Sequence, residues 1–377
     1  MKGLKYQRNL YLVVVLLVSI LLTACSSEKE TGTQTGDSQN NENGESETFE
    51  LTFSSYLGEN SPPNPVVVWF IEEVEKRTEA RVKIEPFWAG SLLGGPDTLT
   101  GLKDGRADMA YVNPAAFPSE LPLTNVVAVP FVNANPEVTL KTFYDLYQNN
   151  ETYKTEWENQ GIRVLNFFPF GTNVIGTQDQ VDSIDWFDGK MVRGLGYVNQ
   201  ALEAVGANPI AIDAAEVYEA LNRKTIEAVS GMTLEAYSTL KFQEVAPHIV
   251  DTGLGSYITA TMSIRKEVWD KMPSDIQQIV SEVALEAQEK SLESLNEWQE
   301  NSAKQIVDAG GTIKVLPEDE VQKWKDAIGD TIINQWIEEN EERGLPAKDF
   351  FDQYTELIKK YQESSTYTSG AERWSTE

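Results

Sequence analysis

From Ser274 to Asp308 the chain runs for 35 residues without a proline or a glycine, and Gly310-Gly311 ends the run. Nothing in this stretch interrupts an α-helix. At 1.5 Å per residue such a helix spans roughly 50 Å, more than the width of one small domain. The fold must therefore offer it two bodies to lie along.

The residues ahead of it supply those bodies. Phe49, Leu51 and Phe53 alternate as in a strand. Val67, Phe70, Ile71 and Val74 then share one helical face within residues 64–80, with charged residues opposite. Val82 and Ile84 return to a period of two. Strand, helix and strand in about 40 residues make a βαβ unit and a locally parallel sheet. Residues 107–112 and 162–168 read as buried strands. Further on, strands at 190–193, 208–212, 226–230 and 247–252 alternate with helices near 197–205, 214–222 and 233–240. The expected class is α/β, with helices on both faces of the sheet. Beyond the long helix, Val321, Trp324, Ile328, Ile332, Ile333 and Trp336, then Phe350, Phe351, Tyr354, Leu357 and Ile358, mark amphipathic helices. Residues 364–377 read as a polar tail.

The first 24 residues read as an export address. Lys2, Lys5 and Arg8 precede an apolar run from Leu10 to Leu22, too short for a spanning helix of about 20 apolar residues. The run ends in Leu22-Thr23-Ala24-Cys25, which resembles a bacterial lipobox. That resemblance implies cleavage before Cys25 and acylation of its thiol. Residues 26–48 contain no apolar side chain and read as a disordered tether.

Composition removes much chemistry. With 31 basic and 59 acidic residues, net charge −28, the chain lacks the basic surface that nucleic acid requires. One Cys and one His exclude a disulfide framework, multi-thiolate zinc sites and H-E-x-x-H motifs. Asp179, Asp182, Asp185 and Asp188 recur every third residue, which does not fit a calcium loop and reads as a solvated acidic turn. Gly194-Leu195-Gly196 lacks the third glycine of a dinucleotide fingerprint. His248 has no nucleophile motif beside it and reads as structural.

Arg193 closes a short strand, and in open α/β sheets ligands sit beyond the carboxyl ends of strands. A guanidinium there presents a planar fork of donors to a carboxylate. A surface or domain-bracing arginine fits the same pattern. Tyr56 after the first strand, Asn113 after residues 107–112 and Phe170 before Gly171 are pocket candidates by the same rule, or else loop and core residues. Trp88 reads as core, and Thr233 as a helix cap.

Residues 188–253 carry Gly189-Lys190 and Arg193, then Gly206-Ala207 and Pro209, then Glu216-Val217-Tyr218, Ala220 and Leu221. This order is similar to the signature stretch of TRAP-transporter solute-binding proteins of the C4-dicarboxylate type. FWAGSLLGG (87–95), GLKDGRADMAYV (101–112), VPFV (129–132) and SIRKEVWDKMPSDIQQIV (263–280) resemble further landmarks of that family.

The resemblance implies a two-lobed fold of the periplasmic-binding-protein kind, class II type, with the long helix bracing both lobes. Lobe I would comprise residues 49–171 plus 256–309, and lobe II residues 172–255 plus 310–363. It implies a receptor without enzymatic activity, cofactor or metal. That receptor closes on an organic acid and hands it to the membrane subunits of an ion-driven permease. The protein is then expected as a monomer, held on the outer face of the cell membrane through lipidated Cys25. A receptor reporting to a membrane kinase and a secreted lipoprotein hydrolase are the alternatives.

Arg193 falls on the family's carboxylate-clamping arginine. A second ligand arginine, two residues after Gly171, is Asn173 here. It keeps its place among the ligand contacts with Arg193, Asn113, Tyr56 and Phe170. Glu227, Ala228 and Gly231 depart from the pattern that follows. With one positive charge missing, a monocarboxylate is expected over a C4-dicarboxylate.

Overall fold

A computed structural model describes residues 47–375. The export segment, Cys25 and the tether up to residue 46 lie outside those residues.

Strand β1 (Phe49–Ser54), helix α1 (Asn64–Arg77) and strand β2 (Val82–Phe87) form the expected βαβ unit. The two strands pair in parallel from Phe49↔Val82 to Ser54↔Phe87. Val67, Phe70 and Val74 of α1 are fully buried against Phe53 and Val82. Each such side chain contributes about 1.5–3 kcal/mol by leaving water. Helix α2 (Thr98–Lys103) leads into β3 (Met109–Val112), buried throughout and parallel to β1. Helices α3 (Pro136–Asn149) and α4 (Glu151–Glu158) follow.

The next strand differs from expectation. β4 runs from Ile162 to Thr177, 16 residues, where the apolar run indicated seven. Short elements then alternate: β5 (Met191–Arg193), α5 (Tyr197–Glu203), β6 (Asn208–Ile210), α6 (Ala214–Asn222), β7 (Ala228–Thr233) and α7 (Leu234–Thr239). After them β8 spans His248–Arg265, 18 residues, far beyond the expected 247–252.

These two long strands organise the molecule. Sheet order is β2-β1-β3-β8-β4-β7-β5-β6, one continuous sheet. The first part of β4 and the last part of β8 pair with each other beside β3; the remaining parts pair beside β7. Register shifts fall between Phe168 and Val174, where both strands pass from one half of the sheet to the other. Gly171 sits in that passage, and a Cβ there would collide with the side chains of Gln299 and Glu235. The fold is therefore two-lobed with two shared strands. Apolar periodicity stops at the crossing because each strand changes its burying neighbours there.

Helix α8 (Lys266–Lys271) precedes α9 (Ser274–Asp308), whose bounds match the proline- and glycine-free run. α9 lies along both halves. Arg77 of α1 forms a bidentate pair with Glu286 at 2.6 and 2.7 Å. Asn166 of β4 donates to the Ala284 carbonyl at 3.0 Å, and Ser302 reaches the Leu234 carbonyl of α7.

Strand β9 (Thr312–Val315) pairs with β8; α10 (Glu318–Ile328), α11 (Thr331–Glu341) and α12 (Ala347–Gln362) follow, and α12 packs on α3 and α4, with Tyr354 against Phe143 and Phe350 against Tyr153. Trp324 and Trp336 are buried in one cluster with Phe143, Tyr153 and Phe167, and Trp324 Nε1 donates to the Ala201 carbonyl at 2.6 Å.

The stretch read as a polar tail is docked. Residues Gly370–Trp374 form a last helix, α13, opened by a reciprocal Ser369–Glu372 capping box. Ala371 is buried, Gly370 N donates to Gln299 Oε1 at 3.0 Å, and Trp374 Nε1 donates to Glu300 at 2.6 Å. The polar side chains find their partners on α9, so a segment poor in apolar residues is still ordered.

Candidate functional site

Strands β1, β2 and β3 are parallel, so their carboxyl ends share one edge of the sheet. Tyr56 leaves β1 there and Asn113 leaves β3. Burial pushes the Tyr56 phenol up to about 12, with the hydrogen-bonding Asn113 side chain pulling the other way. Asn113 Oδ1 also accepts from the Ala115 amide at 3.0 Å, which turns the chain sharply after β3. Behind Tyr56 the rings of Tyr111 and Phe168 follow at centroid separations of 5.8 and 5.5 Å. Trp88 packs on Phe53 as a half-buried wall.

Phe170 lies in the crossing segment of β4, half-buried, and its carbonyl accepts from Ser256 Oγ at 3.2 Å. Next to it the Gly171 amide donates to Glu235 Oε1 at 2.8 Å. Burial pushes that carboxyl up, and the Gly171 hydrogen bond opposes the shift.

Arg193 ends β5, with β6 on one side and β7 on the other. Only 4% of it is exposed. Nε donates to the Ile212 carbonyl at 3.3 Å and Nη1 to the Ser230 carbonyl at 3.0 Å. A guanidinium has five N–H donors, so among the described residues these two bonds leave three unspent. Burial lowers its pKa while the charge of Asp213 opposes the shift; an arginine keeps its proton regardless. Asp213 is the carboxylate whose charge acts on Arg193 among the described residues. The guanidinium is thus buried, charged and held by main-chain oxygens, with donors to spare.

Asn173 is brought to Arg193 through a glycine. Asn173 Oδ1 accepts from the Gly231 amide at 3.0 Å. Gly231 has φ +78°, and a Cβ on it would lie 2.8 Å from Nη1 of Arg193. Leu195 and Ile210, 49% and 37% exposed, flank the same strand end, Ile210 being the direct register partner of Arg193 on β6.

The structure therefore gathers Tyr56 with Asn113, and Arg193 with Asn173, while Phe170 sits on the crossing segment. Among the described residues Arg193 makes no hydrogen bond to Tyr56, Asn113 or Phe170. The carbonyls of Ile212 and Ser230 had no signature in the sequence, because any residue brings a carbonyl. Leu195 and Ile210 were legible only as apolar positions next to a strand end.

Other readings resolve locally. Thr233 holds the cap position of α7, but its hydroxyl makes no capping bond to the helix amides and lies near the buried Glu235 carboxyl. The β7 strand reaches as far as Thr233, so the residue is still extended where the helix begins. His248 Nδ1 lies 2.9 Å from Thr312 Oγ1, in the β8–β9 pair. Asp182 pairs with Lys314, and Glu227 accepts from the Met191 amide at 2.8 Å. No group of three or more metal-type ligands occurs among the described residues. No helix among them is long and apolar enough to cross a membrane.

A family model described as DctP, bacterial extracellular solute-binding protein, family 7, matches residues 53–339. The ectoine/5-hydroxyectoine-binding periplasmic protein UehA of Ruegeria pomeroyi is 25% identical over 249 residues, 65% of this chain and 72% of that one. The structure of a TRAP periplasmic solute binding protein from Desulfovibrio salexigens superposes with a TM-score of 0.76 at 23% identity. It covers 84% of this chain and 98% of its own. A TRAP solute binding protein from Rhodoferax ferrireducens, in complex with copurified benzoate, gives 0.72 at 20% identity, covering 84% and 99%.

Proposed function

The chain belongs to family 7 of the bacterial extracellular solute-binding proteins, and from that membership we propose that it captures an organic monocarboxylate between its two lobes and delivers it to a TRAP permease. Arg193 carries the reading. A buried arginine bonded only to neutral carbonyls, with the field of Asp213 as partial compensation, gains most when an anion arrives to meet it. Two carbonyls fix the plane of the guanidinium, and the remaining donors form the fork that a carboxylate fills at two points. The bond strengthens as closure excludes water, so binding energy is available to hold the lobes shut.

The rest of the ligand meets a surface short of cations. Asn173 is neutral, Gly231 adds no side chain, and Leu195 and Ile210 offer apolar contact. That supports one carboxylate on an apolar body. The ligands named for related proteins, ectoine and benzoate, show that the family's cargo varies and that aromatic acids are within its range. On the opposite lobe Tyr56 and Asn113 supply a ring and polar atoms for the far end of the ligand, with Phe170 at the crossing.

Lobe I comprises residues 49–171 plus 256–309, and lobe II residues 172–255 plus 310–363, so the divide falls within the register shifts of β4 and β8. The mature receptor is a monomer tethered to the outer face of the membrane by lipidated Cys25. In this reading the receptor binds and releases its ligand without chemistry on it.

Native mass spectrometry of the purified mature protein tests the assignment. The wild type is expected to carry an organic acid, and Arg193→Ala to carry none while keeping its circular dichroism. Retention of the same acid by Arg193→Ala would remove the clamp from the account. The mass of the lipid-extracted N-terminal peptide tests Cys25.

A further inference from the structure

We propose that Asn173 is a positioning residue for Arg193, acting through the Ser230–Gly231 peptide. This rests on Arg193 as the carboxylate clamp. The two-ended hold on that peptide carries it. Its N–H donates to Asn173 Oδ1 at 3.0 Å, and its C=O accepts from Arg193 Nη1 at 3.0 Å. A peptide unit is planar, so fixing the direction of the N–H fixes the direction of the carbonyl. Asn173 thereby determines where Arg193 finds its acceptor.

The sheet explains why a side chain is needed. Between β4 and β7 the partners run Val174↔Met232 and then Gly176↔Val229. Two steps along β4 are matched by three along β7, so β7 carries one extra residue in a bulge at Ser230–Gly231. A bulged peptide is out of step with the ladder, and the Asn173 carboxamide takes the place of a ladder carbonyl. Gly231 makes this support necessary. Its φ of +78° and the 2.8 Å approach of Nη1 to a would-be Cβ reserve the position for glycine. Glycine is also the residue that most readily lets a neighbouring peptide rotate. Without the Asn173 acceptor, rotation of this peptide would take the Ser230 carbonyl away from Nη1, and the fork would lose its fixed plane.

The position that would hold a second cation instead orients the first. Asn173→Ala should leave the fold intact but loosen the guanidinium, even with no ligand present. The readouts are hydrogen exchange at the Gly231 amide and the nitrogen-15 resonance of Arg193 Nε in ligand-free protein. Losing one hydrogen bond is expected to speed Gly231 exchange roughly tenfold and to shift and broaden the Nε signal. Asn173→Asp, which keeps an acceptor oxygen at that point, should restore both. A merely structural role would leave the Nε signal where it is. If alanine proves too unstable to study, Asn173→Leu fills the same volume without an acceptor and serves the same measurement. Unchanged Gly231 exchange and an unchanged Nε signal would overturn the proposal. Retention by Arg193→Ala of any organic acid that copurifies with the wild type would instead overturn the clamp reading, whatever the spectra show, so the two failures are distinct.

Discussion

A Cβ placed on Gly231 would stand 2.8 Å from Nη1 of Arg193, closer than any real Cβ contact allows. The glycine and the guanidinium therefore share one volume. The left-handed φ of +78° adds a second penalty for any side chain.

Gly231→Ala follows directly. The guanidinium must move off the Ser230 carbonyl or the bulge must shift, and the strained φ costs about 1–2 kcal/mol. For a domain of this size that lowers Tm by a few degrees, about 2–4 °C per kcal/mol. Affinity for a monocarboxylate such as benzoate should fall at least tenfold. Calorimetric titration beside a melting curve separates the two effects. Wild-type affinity in the alanine variant would show that the close approach has no bearing on the site.

Stability should vary with pH in a direction set by buried acids. Burial pushes Glu156 up to about 7 against its bonds to the Leu123 and Thr124 amides and the Thr124 hydroxyl. It pushes Asp251 up to about 6. An acid with a raised folded-state pKa binds its proton more tightly in the native state. The stability it contributes is complete below its unfolded value near 4 and is lost as pH rises through 6–7. Tm should thus be higher at about pH 5 than at pH 7.5. Net charge of −28 acts in the same sense through self-repulsion. Glu156→Gln isolates the buried group: whatever its absolute Tm, its pH slope should be flatter. An equal slope in wild type and variant would count against the argument.

Ending the chain at Glu363 removes a network rather than a tail. Tyr367 Oη and Gly370 N donate to Gln299 Oε1 at 2.9 and 3.0 Å, and Arg373 and Trp374 both reach Glu300. At about 1 kcal/mol per hydrogen bond, with some bonds exposed, truncation should cost about 2–4 kcal/mol. A Tm lowered by about 5–15 °C is expected. A loss under 1 °C would mean that these bonds are replaced by water at no cost.

Much of this architecture was readable in advance, and the exceptions share a cause. The run from Ser274 to Asp308 predicted α9 with its bounds, because helix breakers are punctuation visible in one dimension. The first βαβ unit and the strand ending at Arg193 followed from periodicity. The full lengths of β4 and β8 did not, since both strands change neighbours near Phe168–Val174 and the apolar pattern changes with them. The tail hid its order because polar residues docked on Gln299 and Glu300 look like solvent-facing ones. The grip on Arg193 was invisible for a further reason. It is made by the carbonyls of Ile212 and Ser230, and main-chain groups leave no trace in side-chain identity.

Charge counting at the site gives the selectivity expected of the receptor. Arg193 is buried with donors for one carboxylate, and Asn173, held to it through Gly231, is neutral. A second carboxylate would be desolvated with no cation to meet it, which costs several kcal/mol even after partial hydrogen bonding. Succinate and malate should therefore bind at least about 100-fold more weakly than a monocarboxylate with an apolar body such as benzoate. The double variant Leu195→Ser, Ile210→Ser should narrow that gap by weakening the apolar acid alone, since both side chains stand exposed beside Arg193. Isothermal titration of the three acids against both proteins decides the matter. Tighter binding of succinate or malate than of benzoate would mean that some other group compensates the second charge, and the monocarboxylate assignment would fall with it.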